Sequence, residues 1–171
     1  MIRALALAAC TVALFGGPAI ASADPAEEGD ADFAIGKCFD PSQPPLQRPN
    51  SFAYNCDTTG VMEDMAWSSW GADGARGTGT DSSVECNPNC AEGNRLFNPI
   101  VVHAWNASAP TSPACPRGVK FYSDLTIAYP RGVPPWIQPG TTWSPGTDFV
   151  TVDGMPAVHF SGLTPTCAPL S

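Results

Sequence analysis

Seven cysteines, two histidines and a scatter of serines and aspartates are the residues of this 171-residue chain that could do chemistry beyond packing. Cys38, Cys56, Cys86, Cys90, Cys115 and Cys167 form an even set, while Cys10 stands apart inside an apolar leader. An even set in an exported chain reads as three disulfides, for which fifteen connectivities exist. Spacing favours a Cys38–Cys56 bridge across a proline-rich loop, a local Cys86–Cys90 ring and a Cys115–Cys167 bridge that pins the tail. Pairing of Cys86 and Cys90 with distant cysteines stays open. In the chain-entropy account the three bridges contribute about 3, 2 and 4 kcal/mol. Zinc would ask for ligands at short regular spacings, usually with histidine. Cys86 and Cys90 have no partner pair, and His103 and His159 are isolated, so no metal and no other cofactor is expected.

Nucleophilic catalysis needs a hydroxyl or thiol beside a base. Ser161 lies close to His159, but the segment fits no Gly-x-Ser-x-Gly elbow. His103 with some serine and aspartate is the other constellation on offer. A triad is easily drawn in a chain with many serines and 16 acids, so no catalytic residue is assigned and a secreted hydrolase is the alternative reading. The histidines are read as structural or surface-lining. Gly71 to Asp81 (GADGARGTGTD) lacks the Gly-Lys-Ser/Thr ending of a P-loop and the third glycine of a dinucleotide fingerprint. Asp73 and Asp81 match no EF-hand spacing, so this stretch is predicted as a hairpin turn or irregular loop. Trp67, Trp70, Trp136 and Trp143 could stack on sugar rings. A non-catalytic domain that binds a glycan or an envelope protein is therefore the leading expectation.

The N-terminus sets the compartment. Arg3, the apolar run from Ala4 to Phe15 and Ala21-Ser22-Ala23 make a secretory signal peptide over residues 1–23, with cleavage after Ala23. Leu7-Ala8-Ala9-Cys10 resembles a lipobox, so a surface lipoprotein acylated at Cys10 is a further alternative. It would leave an apolar core shorter than the usual ~7–15 residues. No later run reaches the ~20 apolar residues of a membrane-spanning helix, and a secreted, extracellular protein follows. Losing Arg3 takes the formal net charge from −8 to −9. That excess argues against nucleic acid, which needs a basic face, and against anionic lipid.

Residues 24–32 (DPAEEGDAD) read as a flexible acidic lead-in, and residues 33–171 as one disulfide-stabilised β domain. Ser51 to Cys56 is a short candidate strand. Met65, Trp67 and Ser69 alternate with Asp64, Ala66, Ser68 and Trp70 in a strand ending near Trp70. Pro99 to Asn106 is a strand apolar on both faces. Val119 to Tyr129 alternates most clearly, with Val119, Phe121, Leu125, Ile127 and Tyr129 facing one way and Lys120, Tyr122, Asp124, Thr126 and Ala128 the other. Tyr129 to Gly146 is too rich in proline and glycine for regular structure. Phe149 to Val152 and Ala157 to Phe160 make a final hairpin with a loop of four or more residues at Asp153-Gly154. The fold expected is mainly β: a small antiparallel sandwich or barrel-like sheet, loop-rich and stapled by about three disulfides. Its core should include Trp67, Val102, Trp105, Phe121 and Ile127.

WSSWGADGARGTGTD, CNPNCAEG, PIVVHAWNAS and VKFYSDLTIAYP, in that order from Met62 to Tyr129, resemble a group of small secreted proteins of mycobacteria and related actinobacteria. The resemblance implies an envelope or extracellular setting. It implies no catalytic residue.

Overall fold

A computed structural model describes residues 32–167 of the chain. The predicted signal peptide, Cys10 and the predicted lead-in up to residue 31 lie outside the described residues. Nine strands and no helix are present among those described: β1 Asp32–Ile35, β2 Phe52–Ala53, β3 Gly60–Ser69, β4 Ala75–Val84, β5 Arg95–Ser108, β6 Val119–Ala128, β7 Thr141–Ser144, β8 Thr147–Val152 and β9 Met155–Phe160. They form one sheet in the order β2-β3-β4-β5-β6-β9-β8-β7. Along one side of β6, β1 lies parallel to Val119–Tyr122 and β9 antiparallel to Leu125–Ala128. The sheet curls into a half-barrel, so the barrel-like form of the expected β fold is the one adopted. The missed strand β1 has only four residues and too little alternation to show.

Curling comes partly from local irregularities that also decide what is buried. On β3 and the residue after it the large apolar side chains Met62, Met65, Trp67 and Trp70 are spaced by three, two and three residues, whereas strict alternation needs two throughout. Register shifts between Glu63 and Ala66 and between Trp67 and Ser69 absorb the odd residues, and Asp64 takes a φ of 52°. Such bulges sharpen the twist of a strand. Met62 and Met65 are buried as a result, and Trp67 and Trp70 pack on the core with ring centroids 4.8 Å apart. The expectation that Trp67 and Trp70 point to opposite faces is thereby corrected.

The glycine-rich stretch is the second correction. Only Gly71 to Gly74 turns; from Ala75 onward the chain is strand β4, paired with both β3 and β5. Gly77 is glycine because a Cβ there would stand 2.9 Å from Ala66 O and from the Trp67 ring, and one on Gly79 would overlap Met65 Sδ. These glycines are recesses for the side chains of β3, which a scale of turn propensity cannot detect.

On β6 the alternation crosses over. Leu125, Ile127 and Tyr129 belong to the main core together with Tyr122, whereas Val119 and Phe121 join Ala34 in a smaller second cluster. The crossing falls at Ser123, opposite Asn106 of β5, whose φ is 53°. Trp105 is corrected as well: it pairs with Asp124 on the face turned away from the core and is only half-buried. Val102, Phe121 and Ile127 are fully buried, and Trp67 packs on the core from its edge.

The final hairpin is tighter than predicted. Val152 pairs directly with Met155, and Asp153 and Gly154 have φ values of 50° and 77°. Two central residues with positive φ match the twist of the flanking strands, which is why Asp-Gly suits this turn. Strand β7 is a further correction, since Thr141–Ser144 pairs with β8 inside a stretch read as irregular. All three favoured disulfides are formed: Cys38–Cys56, Cys86–Cys90 and Cys115–Cys167.

Candidate functional site

A half-barrel has two ends to its strand path, here β2–β3 and β7–β8, that do not pair with one another. Side chains and loops must fill the seam between them. They leave a cavity of about 750 Å³. Its aromatic lining is Tyr54, Tyr129, Trp136, Trp143, Phe149 and Phe160. Polar groups come from the turn after β2 (Asn55, Asp57, Thr59), from the end of β4 and the residues after it (Ser83, Glu85, Asn87) and from β7 and β8 (Ser144, Thr147). Two of the disulfides hold these walls: Cys56 closes the turn after β2, and the Cys86–Cys90 ring is itself part of the lining.

Behind the lining sits Asp81, in the middle of the strand and fully buried at 0% exposure. Three hydroxyls donate to its carboxylate: Tyr54 to Oδ1 at 2.8 Å, Ser83 to Oδ2 at 2.9 Å and Tyr129 to Oδ2 at 3.1 Å. Burial pushes the Asp81 pKa up, because a buried charge is poorly solvated. The three hydrogen bonds and the charge of Arg95 oppose that shift without cancelling it. Burial also raises both tyrosines, and the negative charge of Asp81 adds to the effect. Every buried side-chain nitrogen and oxygen among the described residues has a hydrogen-bond partner. The cluster is therefore a complete, internally satisfied polar unit in an apolar core.

Lys37 is the one cationic side chain that lines the cavity. Its Nζ lies 4.2 Å from the centroid of the Phe160 ring, and burial lowers its pKa. Trp143, 66% exposed, leans on Phe149 with centroids 5.9 Å apart. Of the four tryptophans named as candidates for stacking, Trp136 and Trp143 reach the cavity. Trp67 and Trp70 do not line it; their indole N–H groups donate to Pro49 O at 2.9 Å and Phe33 O at 2.8 Å. Tyr54, Tyr129, Phe149, Phe160 and the buried Asp81 were missed. The available signal was an acid in the middle of a Ser/Thr-rich strand, Thr80-Asp81-Ser82-Ser83, where a buried carboxylate needs hydroxyl partners.

The other face of the sheet carries a second constellation. Cross-strand pairing sets His103 beside Thr126 and Thr126 beside His159, with Trp105 opposite Asp124. Trp105 is stacked between the imidazoles, 4.6 Å from His103 and 5.3 Å from His159. His159 Nε2 lies 3.0 Å from Asp124 Oδ1, with side chains 27% and 15% exposed. Asn106 and Ser123 donate to the other oxygen at 2.9 and 2.6 Å. Partial burial raises the Asp124 pKa, but the hydrogen bonds from Ser123, Asn106 and His159 together outweigh it and leave it low. Burial, then the charge of Arg76, lowers that of His103. The structure thus brings His159 together with Asp124 but gives neither imidazole a hydroxyl partner among the described residues. Ser123 turns to Asp124 instead, and none of the four side chains lines the cavity. Among the described residues no group of three or more His, Cys, Asp or Glu is placed to hold a metal, and no helix is long and apolar enough to cross a membrane.

Comparison with models of protein families, with curated proteins and with solved structures finds no match.

Proposed function

We propose that the chain is an exported, non-catalytic domain of the cell envelope or extracellular space that binds a glycan in the cavity of the half-barrel. The observation that carries this reading is Trp143, two-thirds exposed at a cavity that Trp136 also lines. A sugar ring offers a C–H face to an indole and hydroxyls to the polar groups around it. The cavity of about 750 Å³ falls within the ~300–1,000 Å³ of small-ligand sites. Three disulfides suit an oxidising compartment. The resemblance of the central stretch to actinobacterial exported proteins favours a glycan of the cell wall.

Titration of tryptophan fluorescence with soluble cell-wall oligosaccharides tests the reading. Saturable binding is expected, weakened about tenfold by Trp143→Ala and unchanged by Trp105→Ala. Binding that survives Trp143→Ala and is lost with Trp105→Ala would place the ligand on the other face and refute the assignment.

The second reading, a secreted hydrolase, rests on the His159–Asp124 pair. Among the described residues it lacks a nucleophile at the imidazole. A hydrolytic activity abolished by His159→Ala without loss of stability would establish it over the first.

A further inference from the structure

The cavity has a polarity built into its floor. A hydroxyl carries one proton and two lone pairs. Tyr54, Tyr129 and Ser83 all line the cavity, and each commits its proton to Asp81 behind it. What these residues can offer a ligand is lone pairs. The wall repeats the pattern: Asp57 and Glu85 contribute carboxylates, and the amide nitrogen of Asn55 is turned to Thr59 Oγ1 at 3.3 Å. The cationic group of the lining is Lys37, whose ammonium lies over the Phe160 ring, and Asn87, Ser144 and Thr147 add neutral polar side chains that can donate as well as accept. Arg95 does not line the cavity and spends its guanidinium on Ser82 and on Thr58 O.

We infer that Asp81 sets the floor of this site as an array of hydrogen-bond acceptors, and that the ligand is an uncharged, hydroxyl-rich glycan rather than one bearing carboxylate, phosphate or sulfate. A neutral sugar meets the array with O–H donors. An anionic group would face the oxygen lone pairs of the floor and the carboxylates of Asp57 and Glu85, which is a specific penalty against the wrong ligand. Asp81 touches no ligand itself and is a positioning residue, acting through the tyrosines and Ser83.

This inference rests on the glycan reading, and its test separates the two. The probes are soluble oligosaccharides, each offered in neutral form and with its C6 hydroxyls oxidised to carboxylates, titrated calorimetrically against the disulfide-bonded mature protein. Neutral members should bind, each at least about tenfold tighter than its oxidised partner. Oxidised partners that bind as well or better overturn the acceptor array and leave the glycan reading standing; no binding by any pair overturns both. Asp81→Asn replaces an acceptor-only group with one that also donates, so a floor hydroxyl can turn its proton to the cavity. The neutral-to-oxidised ratio should then shrink to about threefold or less, a change that loss of stability alone would not cause. An unchanged ratio in a folded Asp81→Asn protein removes Asp81 from the account. If that variant does not fold, Tyr54→Phe decides: it deletes one floor acceptor and should weaken neutral ligands more than oxidised ones, and equal weakening counts against the array.

Discussion

Asp81 and Asp124 lie on the two faces of the same sheet, and each is held by three hydrogen-bonding side chains. Asp81 has Tyr54, Ser83 and Tyr129; Asp124 has Asn106, Ser123 and His159. Their pKa values nevertheless move in opposite directions, up for Asp81 and down for Asp124. The difference is water. On the outer face the carboxylate keeps partial hydration, so its hydrogen bonds dominate. Inside the half-barrel full burial dominates, and the same number of bonds only moderates it. An equal tally of partners therefore says little until the burial of the group is known. It also separates roles: the buried acid orients hydroxyls at a cavity, and the half-exposed one anchors an imidazole on an open surface.

Mutation should show the asymmetry most strongly at Asp81. Asp81→Ala strands three buried hydroxyls without an acceptor and is expected to cost about 3–5 kcal/mol, at about 1–3 kcal/mol for each unsatisfied group less the relief of removing a buried charge. Urea unfolding at neutral pH measures it, and a loss below about 1 kcal/mol would mean that the cluster can rearrange around its missing centre. Next in size are the glycine recesses beneath β3. Gly79→Ala would press on Met65 Sδ and stand 2.7 Å from Glu63 O, so about 1–3 kcal/mol should be lost. Gly71→Ala, with nothing within 4 Å, is the control that should change little.

The pH dependence of stability has opposite signs at the two acids. The Asp81 pKa is raised above its ordinary value of 3.8 in the fold. Its contribution is therefore fully present below about 3.8 and lost as pH rises through the raised folded value. Asp124 is depressed, so its contribution is present above 3.8 and lost as pH falls through its lower folded value. Relative to Asp81→Asn, the wild type should gain stability as pH drops from 7 toward 4; relative to Asp124→Asn, it should lose stability only below about 4. Unfolding curves at several pH values for the three proteins check both signs, and parallel profiles would contradict the assignment. The smallest effects belong to the outer face. Asp124→Ala and His159→Ala should each cost no more than about 1 kcal/mol, the range of partly exposed ion pairs. His103→Ala should leave ligand binding unchanged in the same fluorescence titration.

What was legible in the chain follows from the range over which each signal acts. Strands β5 and β6 and the final hairpin announce themselves through local alternation. The even count of six cysteines announces three bridges, but spacing only favoured the pairs that form and left the partners of Cys86 and Cys90 open. Strand β4 was hidden because its glycines answer to Trp67 and Met65 on a neighbouring strand, not to a turn of their own. Trp105 was assigned to the core because an apolar run on both faces does not say which face is covered. The Asp81 cluster left only a local hint, an acid among serines and threonines with Ser83 two residues away: its other partners Tyr54 and Tyr129 are 27 and 48 residues away, and only the curl of the sheet brings them together. Half of the tryptophan site was visible as composition, and the rest depended on where the half-barrel stays open.

The five tryptophans make one direct test of the claim that the ligand occupies the cavity and not the outer face. In a ¹H–¹⁵N spectrum of the disulfide-bonded protein, each indole N–H gives its own signal. Added neutral oligosaccharide should shift Trp136 and Trp143, while Trp67, Trp70 and Trp105 stay in place. Movement of Trp105, with Trp136 and Trp143 unmoved, would contradict the account.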